Sequence, residues 1–238
     1  MANTNKSRAL KWTAGAIGVA AGAVAGYAGV TWLRYGHPAL AKGDEADPLL
    51  DRFMPVYDIV ERHHIQVAAG ADITFAAACE QDLMAAPAVR TIVRAREVLL
   101  GSEPDTTTRP RGLLDFTRSL GWGVLAEVPG REVVMGAVTQ PWKANVVFRA
   151  LPPAEFAAFN EPDYVKIAWT LRADPIDADA SIFRTETRAV ATDAAARGKF
   201  RRYWSFLSPG IILIRWASLR PLKAEAERRR LSEIPVGQ

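Results

Sequence analysis

Glu61 and His63 lie two residues apart in an alternating stretch of the sequence, and together they could perform acid–base chemistry. Successive side chains of a β-strand point to opposite faces, so residues two apart share one face. The alternation over residues 59–67 therefore predicts a strand that carries both side chains among apolar neighbours. Burial in an apolar wall shifts the pKa of a carboxyl or an imidazole, so this pair could bind a polar ligand group or act as acid and base. The alternative is a structural pair on a partly solvated face.

The sequence lacks the common patterns for metals, nucleophiles and bound phosphates. His63 and His64 are adjacent and point to opposite faces of the predicted strand, so they cannot share one metal, and no HExxH pattern occurs. Cys79 is the single cysteine, which excludes intrachain disulfides and multi-cysteine zinc sites. The serines lack a GxSxG setting, and no Gly-rich phosphate loop follows a predicted strand. We therefore predict no metal and no cofactor.

A second alternating stretch, residues 181–192, predicts another strand with two different faces. Thr185 and Thr187 share a face with Phe183 and are expected to point inward, where their hydroxyls could orient a polar ligand group. The opposite face carries charges, which with basic residues of a neighbouring strand predict an ion-pair ladder on the outer surface. The residues of this ladder are Arg184, Glu186, Arg188, Lys166 and Arg172.

The elements around these strands follow from periodicity and turn residues. Four-residue spacing predicts a helix over residues 73–84, and Pro87 and Gly101 bound a second one. Pro129-Gly130 predicts a hairpin, with further strands over residues 145–150 and 164–173. A long amphipathic helix begins near residue 193, with Ser208-Pro209-Gly210 expected to interrupt it.

The order strand, helix, helix, antiparallel strands, long helix predicts an α+β fold in which a curved antiparallel sheet wraps a long C-terminal helix. One helix cannot cover the apolar face of such a sheet, so we expect a cavity of a few hundred Å³ between sheet and helix. Its predicted lining is His63, Glu61, Trp169, Ile167, Leu171, Thr185, Thr187, Phe200, Trp204 and Leu207.

Four segments resemble the Bet v 1-like, or START-like, helix-grip superfamily, which includes polyketide cyclase/dehydrase-like (SRPBCC) proteins. They are YDIVERHHIQVAAGADITF, PGREVVMGAVTQPW, YVKIAWTLRADPI and FRTETRAVATDAAARGKFRRYWSFLSPG, and the resemblance covers about residues 55–225. It implies a helix-grip fold and a hydrophobic-ligand cavity. It implies no catalytic residue, because the superfamily has no single shared catalytic motif. The superfamily usually has seven strands, whereas this sequence predicts five and a weaker sixth.

Residues 12–33 contain no charged residue, and about 33 Å of helix would cross a ~30 Å hydrocarbon core. We predict a transmembrane anchor there, and hence a single-pass membrane protein. Three basic residues precede the segment and two follow it, which favours an extracytoplasmic domain. A cleaved signal peptide and a buried helix are the alternatives. Gly18, Gly22 and Gly26 recur every four residues, which would suit a homodimer of such helices.

Composition and charge exclude some classes of protein and of binding partner. The chain has 238 residues, of which 49% are hydrophobic and 24% charged, which excludes both a disordered chain and a polytopic membrane protein. Its net charge is +4, and residues 194–230 are the basic part of the chain, with ten basic and two acidic residues. A solvated helix face explains this stretch, and a contact with anionic lipid is the alternative. No nucleic-acid-binding motif occurs, so we predict no nucleic-acid partner.

The sequence thus predicts a basic N-terminus (1–11), a transmembrane helix (12–33), a linker (34–56), a helix-grip domain (57–225) and a polar tail (226–238). The first functional hypothesis is a membrane-tethered module that binds a hydrophobic small molecule or lipid. The second is an enzyme of the cyclase, dehydratase or hydrolase type that uses Glu61 and His63 in the same cavity. The third is a structural or assembly protein without a ligand. A binding protein is favoured over an enzyme.

Overall fold

The computed structural model describes residues 22–103 and 110–233. Seven helices are found in these residues: 22–34 (α1), Pro48–Asp51 (α2), Ala71–Glu80 (α3), Pro87–Leu100 (α4), Leu113–Ser119 (α5), Pro153–Ala158 (α6) and Ala194–Glu233 (α7). Short 3₁₀ turns cover Gly43–Glu45 and Leu83–Ala85. The strands are Ile59–Val67 (β1), Gly123–Val128 (β2), Glu132–Thr139 (β3), Phe148–Arg149 (β4), Val165–Pro175 (β5) and Ser181–Ala191 (β6).

All six strands form one antiparallel sheet in the order β1-β6-β5-β3-β2, with the short β4 paired to the end of β3. The first strand therefore lies beside the last, and α3 and α4 connect β1 to the far side of the sheet. The Pro129-Gly130 hairpin forms as predicted, with Gly130 at a φ of 69° and the Arg131 amide donating to the Val128 carbonyl. Glycine suits this position because a left-handed φ strains other residues.

The inner face of the sheet packs against α7 through two apolar clusters. Phe200 and Trp204, near the start of α7, pack with Ile59, Val165 and other residues of the sheet. Leu219, Leu222 and Ala226, farther along α7, pack with α3 and with Trp169, Leu171, Val133 and Met135. Hence α7 lies across the sheet and is anchored at two places about five turns apart.

Helix α7 is continuous for 40 residues and contains both Pro209 and Pro221. The expected interruption at residues 208–210 is therefore absent from this helix. A proline within a helix removes one backbone hydrogen bond and crowds the preceding turn. The buried side chains on both sides of Pro209, Trp204 and Leu219, supply packing energy that offsets this cost.

The outer face of the sheet is covered rather than exposed. Leu50 and Met54, together with Phe156 of α6, pack on Val134 and Val138 of β3. Asp47 caps α2 by accepting a hydrogen bond from the Leu50 amide at 2.8 Å. The predicted ladder residues do lie on this face, but most of them are buried instead of facing solvent. Arg172 and Arg188 contact residues 44–57, and Lys166 donates to the Ala157 carbonyl of α6. Arg184 is half-buried.

The predicted single-pass membrane localisation is contradicted. Within the two described ranges, no helix is long and apolar enough to cross a membrane. The described part of the predicted span, residues 22–33, lies in α1, which contacts α7. The Tyr27 hydroxyl is 2.9 Å from the Ser208 hydroxyl, and the Arg201 guanidinium donates to the Trp32 carbonyl and covers its ring. Residues 12–21 and the glycine at position 18 lie outside the described residues.

Candidate functional site

Five polar side chains meet on the inner face of the sheet between the two apolar clusters, and we call them the inner polar cluster: Glu61, His63, Thr185, Thr187 and Arg215. Glu61 is paired with Thr187, and His63 with Thr185, in the β1–β6 register. The Glu61 Oε2 and His63 Nε2 atoms are 3.8 Å apart. The period-two pattern therefore predicted correctly that these four strand residues share one face.

Arg215 enters the cluster from α7, and sequence reasoning missed its role. Its Nη1 atom donates a hydrogen bond of 2.9 Å to the Thr185 hydroxyl. Burial lowers the pKa of Arg215 to about 10, and nearby Glu61 opposes this shift, so the guanidinium is charged at neutral pH. The available signal was its spacing: Ile211, Arg215, Leu219 and Leu222 recur at three- or four-residue steps. A cation in such a stripe points toward the sheet.

Two polar atoms of the cluster are buried without a hydrogen-bond partner among the described residues, His63 Nε2 and Thr187 Oγ1. The His63 side chain is only 8% exposed. Burial, followed by the positive charge of Arg215 and then by His64, lowers the pKa of His63 to about 4. His63 is consequently neutral at pH 7, and its contact with Glu61 is not an ion pair at that pH.

Glu61 responds to the same surroundings in the opposite sense. Burial raises the pKa of its carboxyl above the ordinary value, while the charge of Arg215 partly counteracts this effect. The cluster thus combines a permanent cation, a carboxyl that is less acidic than usual and a neutral imidazole. Such a set can donate hydrogen bonds to a polar group and can exchange a proton with it.

All but one of the remaining predicted lining residues fall into the two apolar clusters that flank the inner polar cluster. Ile167, Phe200 and Trp204 lie on one side, and Trp169 and Leu171 on the other. Leu207 is half-buried on α7, between Trp204 and Ile211 in sequence, and it belongs to neither cluster. The structure therefore brings the predicted polar residues together but divides the apolar ones.

The ring of Trp216 covers His63. The two ring centroids are 6.3 Å apart in an edge-to-face arrangement, although Trp216 itself is 65% exposed. Trp216 is therefore the exposed side chain that lies next to the buried imidazole.

An open groove of about 490 Å³ lies elsewhere, between α3, the 3₁₀ turn at Leu83–Ala85, the start of α4 and α7. Val89, Pro221 and Leu222 contribute apolar walls, and the Arg229–Glu80 ion pair lies at its border. The volume is within the range of small-molecule sites. None of the ten predicted lining residues borders it.

The charges on the outer face form a structural network. Arg62 and Arg188 both contact Glu186, and Arg172 and Arg184 both contact Asp174. The void beside this network measures only about 20 Å³, which suits a single water molecule. This void is therefore too small for an organic ligand.

Many basic residues of α7 also have partners within the chain. Arg197 pairs with Asp58, Arg228 and Arg229 pair with Glu225, and Arg230 pairs with Asp179. These ion pairs support the interpretation of the basic stretch as a solvated helix face. Contact with anionic lipid stays a prediction. Among the residues of known placement, no group of three or more His, Cys, Asp or Glu side chains is arranged to hold a metal.

No protein-family model and no curated protein matches this sequence. Comparison with solved structures finds several matches at low identity and low TM-score. A hypothetical protein from Helicobacter pylori, jhp0584, is 9% identical with a TM-score of 0.40 and covers 79% of this chain and 99% of its own. Norcoclaurine synthase from Thalictrum flavum, in complex with dopamine and hydroxybenzaldehyde, is 13% identical with a TM-score of 0.31. The match covers 82% of this chain and 97% of the synthase chain. The Zhui aromatase/cyclase from Streptomyces sp. R1128 is 13% identical with a TM-score of 0.23, and the match covers 75% of this chain and 98% of the cyclase chain.

The helix-grip architecture predicted from the sequence is confirmed by the strand order and by α7 across the inner face. The described chain has six strands, so it differs from the usual seven of that superfamily. Similarity at these identities concerns the fold alone.

Proposed function

We propose that this helix-grip chain binds a hydrophobic small molecule between the inner face of the sheet and α7, with the polar end of the molecule at the inner polar cluster. The observation that carries the proposal is the pair of buried atoms without partners among the described residues, His63 Nε2 and Thr187 Oγ1, in a polar cluster flanked by two apolar clusters. Buried polar groups in proteins are nearly always hydrogen-bonded, so an unpaired pair of this kind calls for an explanation.

Energetics favours a ligand at this place. Each buried polar group without a partner costs about 1–3 kcal/mol of folding free energy. A ligand hydroxyl, amide or carboxyl that bonded these atoms would recover part of that cost. Its apolar part would bury against Ile167, Phe200 and Trp204, at about 25 cal/mol per Å² of apolar surface.

Displacement of the exposed Trp216 ring provides the route of access, because this ring covers His63. The alternative location is the 490 Å³ groove beside α3 and α4, which is already open. The groove has charged residues at its border, namely Glu80, Asp82, Glu225 and Arg229. The inner face carries the unpaired polar atoms between two apolar clusters, so the proposal places the ligand there.

The test is a titration with Nile red, a neutral apolar dye whose fluorescence rises in apolar surroundings. In Ile167→Trp a large ring occupies the inner face, and we expect at least tenfold weaker binding. In Ala85→Trp the same ring occupies the groove, and we expect binding within about twofold of the unmodified chain. Circular dichroism melting establishes that both variants fold. Thr187→Val, which removes one hydroxyl at nearly constant volume, serves as a second inner-face variant if Ile167→Trp does not fold.

Loss of dye binding in Ala85→Trp, with retention in Ile167→Trp, would move the site to the groove and overturn the proposed location. Absence of saturable dye binding to the unmodified chain would overturn the function itself.

A second candidate function is an enzyme of the cyclase, dehydratase or hydrolase type. It is favoured by the 3.8 Å separation of Glu61 and His63 and by the opposite displacements of their pKa values. A carboxyl of raised pKa can deliver a proton, and a neutral imidazole can accept one. Chemical change of a bound ligand, absent in Glu61→Gln, separates this function from binding alone.

A further inference from the structure

We infer that the polar end of the ligand is a carboxylate and that Arg215 is the residue that binds it. This inference rests on the proposed function and specifies its ligand class, an organic acid with an apolar body. The reasoning starts from the unusual pairing of Arg215.

Arg215 differs from the other arginines that point at the sheet. On the outer face, Arg62, Arg172, Arg184 and Arg188 each have at least one carboxylate within 4.0 Å. In the part of the chain with known placement, Arg215 has no carboxylate within that distance, and its one hydrogen bond goes to the Thr185 hydroxyl. Glu61 acts on this cation from beyond ion-pair distance, so an anion in direct contact with the desolvated guanidinium would stabilise it further.

The geometry of the guanidinium suits a carboxylate. Arginine has five N–H donors in a planar fork, and a carboxylate can accept two of them side by side. Only Nη1 of Arg215 has a partner, so donors remain for a ligand. The Thr187 hydroxyl and the His63 ring nitrogen lie in the same cluster without partners, and both can donate to a carboxylate oxygen.

The charge of the inner polar cluster favours a ligand group with one negative charge over a group with two. Glu61 shares the inner face with His63, and when ionised it repels any anion beside Arg215. Binding of a carboxylate is compatible with this neighbour, because Glu61 can take up a proton. A phosphate monoester carries a second charge near pH 7 and meets more repulsion. The titratable and charged side chains near the bound group are Glu61, His63 and Arg215, with His64 on the opposite face of β1.

The experiment compares three ligands of equal chain length by isothermal titration calorimetry: dodecanoic acid, dodecanol and dodecyl phosphate. The acid is expected to bind the unmodified chain at least tenfold more tightly than either of the others. Arg215→Met should weaken the binding of dodecanoic acid at least tenfold and leave the affinity for dodecanol within about twofold of that of the unmodified chain. Arg220→Met, at an exposed position on the same helix, makes the same charge change and should leave all three ligands unaffected.

Glu61→Gln is a second variant with a prediction of the opposite sign. It removes the repelling carboxylate, so the acid should bind more tightly than to the unmodified chain. If the acid and the alcohol bind equally, or if Arg215→Met and Arg220→Met behave alike, the carboxylate inference is overturned while the binding function stands. If no ligand of the three binds, the proposed function fails first.

Discussion

Glu61 and His63 experience one environment and respond to it in opposite directions. Burial disfavours the charged form of each group, so the pKa of the carboxyl rises and the pKa of the imidazole falls to about 4. The positive charge of Arg215 reduces the first shift and increases the second. The result at neutral pH is a neutral histidine that can donate or accept one hydrogen bond at Nε2, depending on its tautomer.

The lowered pKa of His63 predicts a specific loss of stability in acid. The unfolded chain titrates this histidine near its ordinary pKa of about 6.5, whereas the folded chain titrates it at about 4. Below pH 6.5 the unfolded state therefore binds the proton first, so the stability due to neutral His63 is present above that pH and is lost as the pH falls toward 4. Between about pH 7.5 and about pH 5 this loss amounts to about 2 kcal/mol.

The measurement is urea unfolding of the unmodified chain and of His63→Gln at those two pH values. Other groups titrate equally in both proteins, including Glu61, whose raised pKa acts in the opposite direction. The variant should therefore lose about 2 kcal/mol less than the unmodified chain on acidification. Equal losses in the two proteins would show that His63 is not held neutral by the fold.

At this scale the sequence predicts the strand residues of the site but not the helix residue. Glu61, His63, Thr185 and Thr187 follow from a period of two, which assigns each side chain to a face without further information. Arg215 belongs to a helix whose basic residues mostly face solvent. Its orientation depends on how α7 lies on the sheet, which is a tertiary property.

Among the elements, β6 shows how one strand serves two different layers. Its inner face contributes Thr185 and Thr187 to the candidate site, and its outer face contributes Glu186 and Arg188 to the buried charge network. Arg188 also reaches residues 51–57: it donates to the Asp51 carboxylate at 2.5 Å and to the Met54 carbonyl at 2.8 Å, and it covers the ring of Tyr57. These contacts hold the chain before β1 against the sheet.

Removal of the Arg188 guanidinium should therefore be strongly destabilising. Arg188 is 2% exposed, and Arg188→Met removes the side-chain donor to the Met54 carbonyl and leaves Arg62 as the remaining guanidinium on Glu186. We expect a loss of about 3–5 kcal/mol in the free energy of unfolding, measured with urea. Arg228→Met is the matched control, since Arg228 also contacts a carboxylate but is 67% exposed. Its loss of unfolding free energy should be much smaller than that of Arg188→Met, because an exposed ion pair contributes little to stability. Losses of similar size in the two variants would contradict the interpretation that buried Arg188 holds residues 51–57 against the sheet.

The corrected element is α1, and the reason is physical. Hydropathy measures only how apolar a segment is, and apolar helices occur both in membranes and against proteins. Contacts made by Tyr27, Trp32 and Tyr35 with α7 and with Asp58 distinguish the two cases. Such contacts join residues far apart in sequence and leave no periodic signal. Likewise, the order of charged residues on β6 predicted the ladder but not the segment that buries it.

For the whole molecule, topology was predictable and packing was not. The order of helices and strands predicted a curved antiparallel sheet on a long C-terminal helix, and the resemblance of four segments implied the helix-grip fold. Short connections account for neighbours such as β2 and β3, but not for the pairing of β1 with β6. The separation of the inner face into two apolar clusters around a polar centre was not predictable. It depends on the continuous course of α7 across β1, β6 and β5 and on the side chains that face it.

We expect an apolar acid to lie between α7 and the sheet, with its carboxylate at Arg215. The most direct measurement is photocrosslinking with a dodecanoic acid that carries a diazirine near the end of its chain, followed by peptide mass spectrometry. The account predicts crosslinks to inner-face residues such as Ile167, Phe200 and Trp204, with excess dodecanoic acid suppressing them. Crosslinks confined to the groove, at Ala86 and Val89, or spread over the surface without competition, would contradict it.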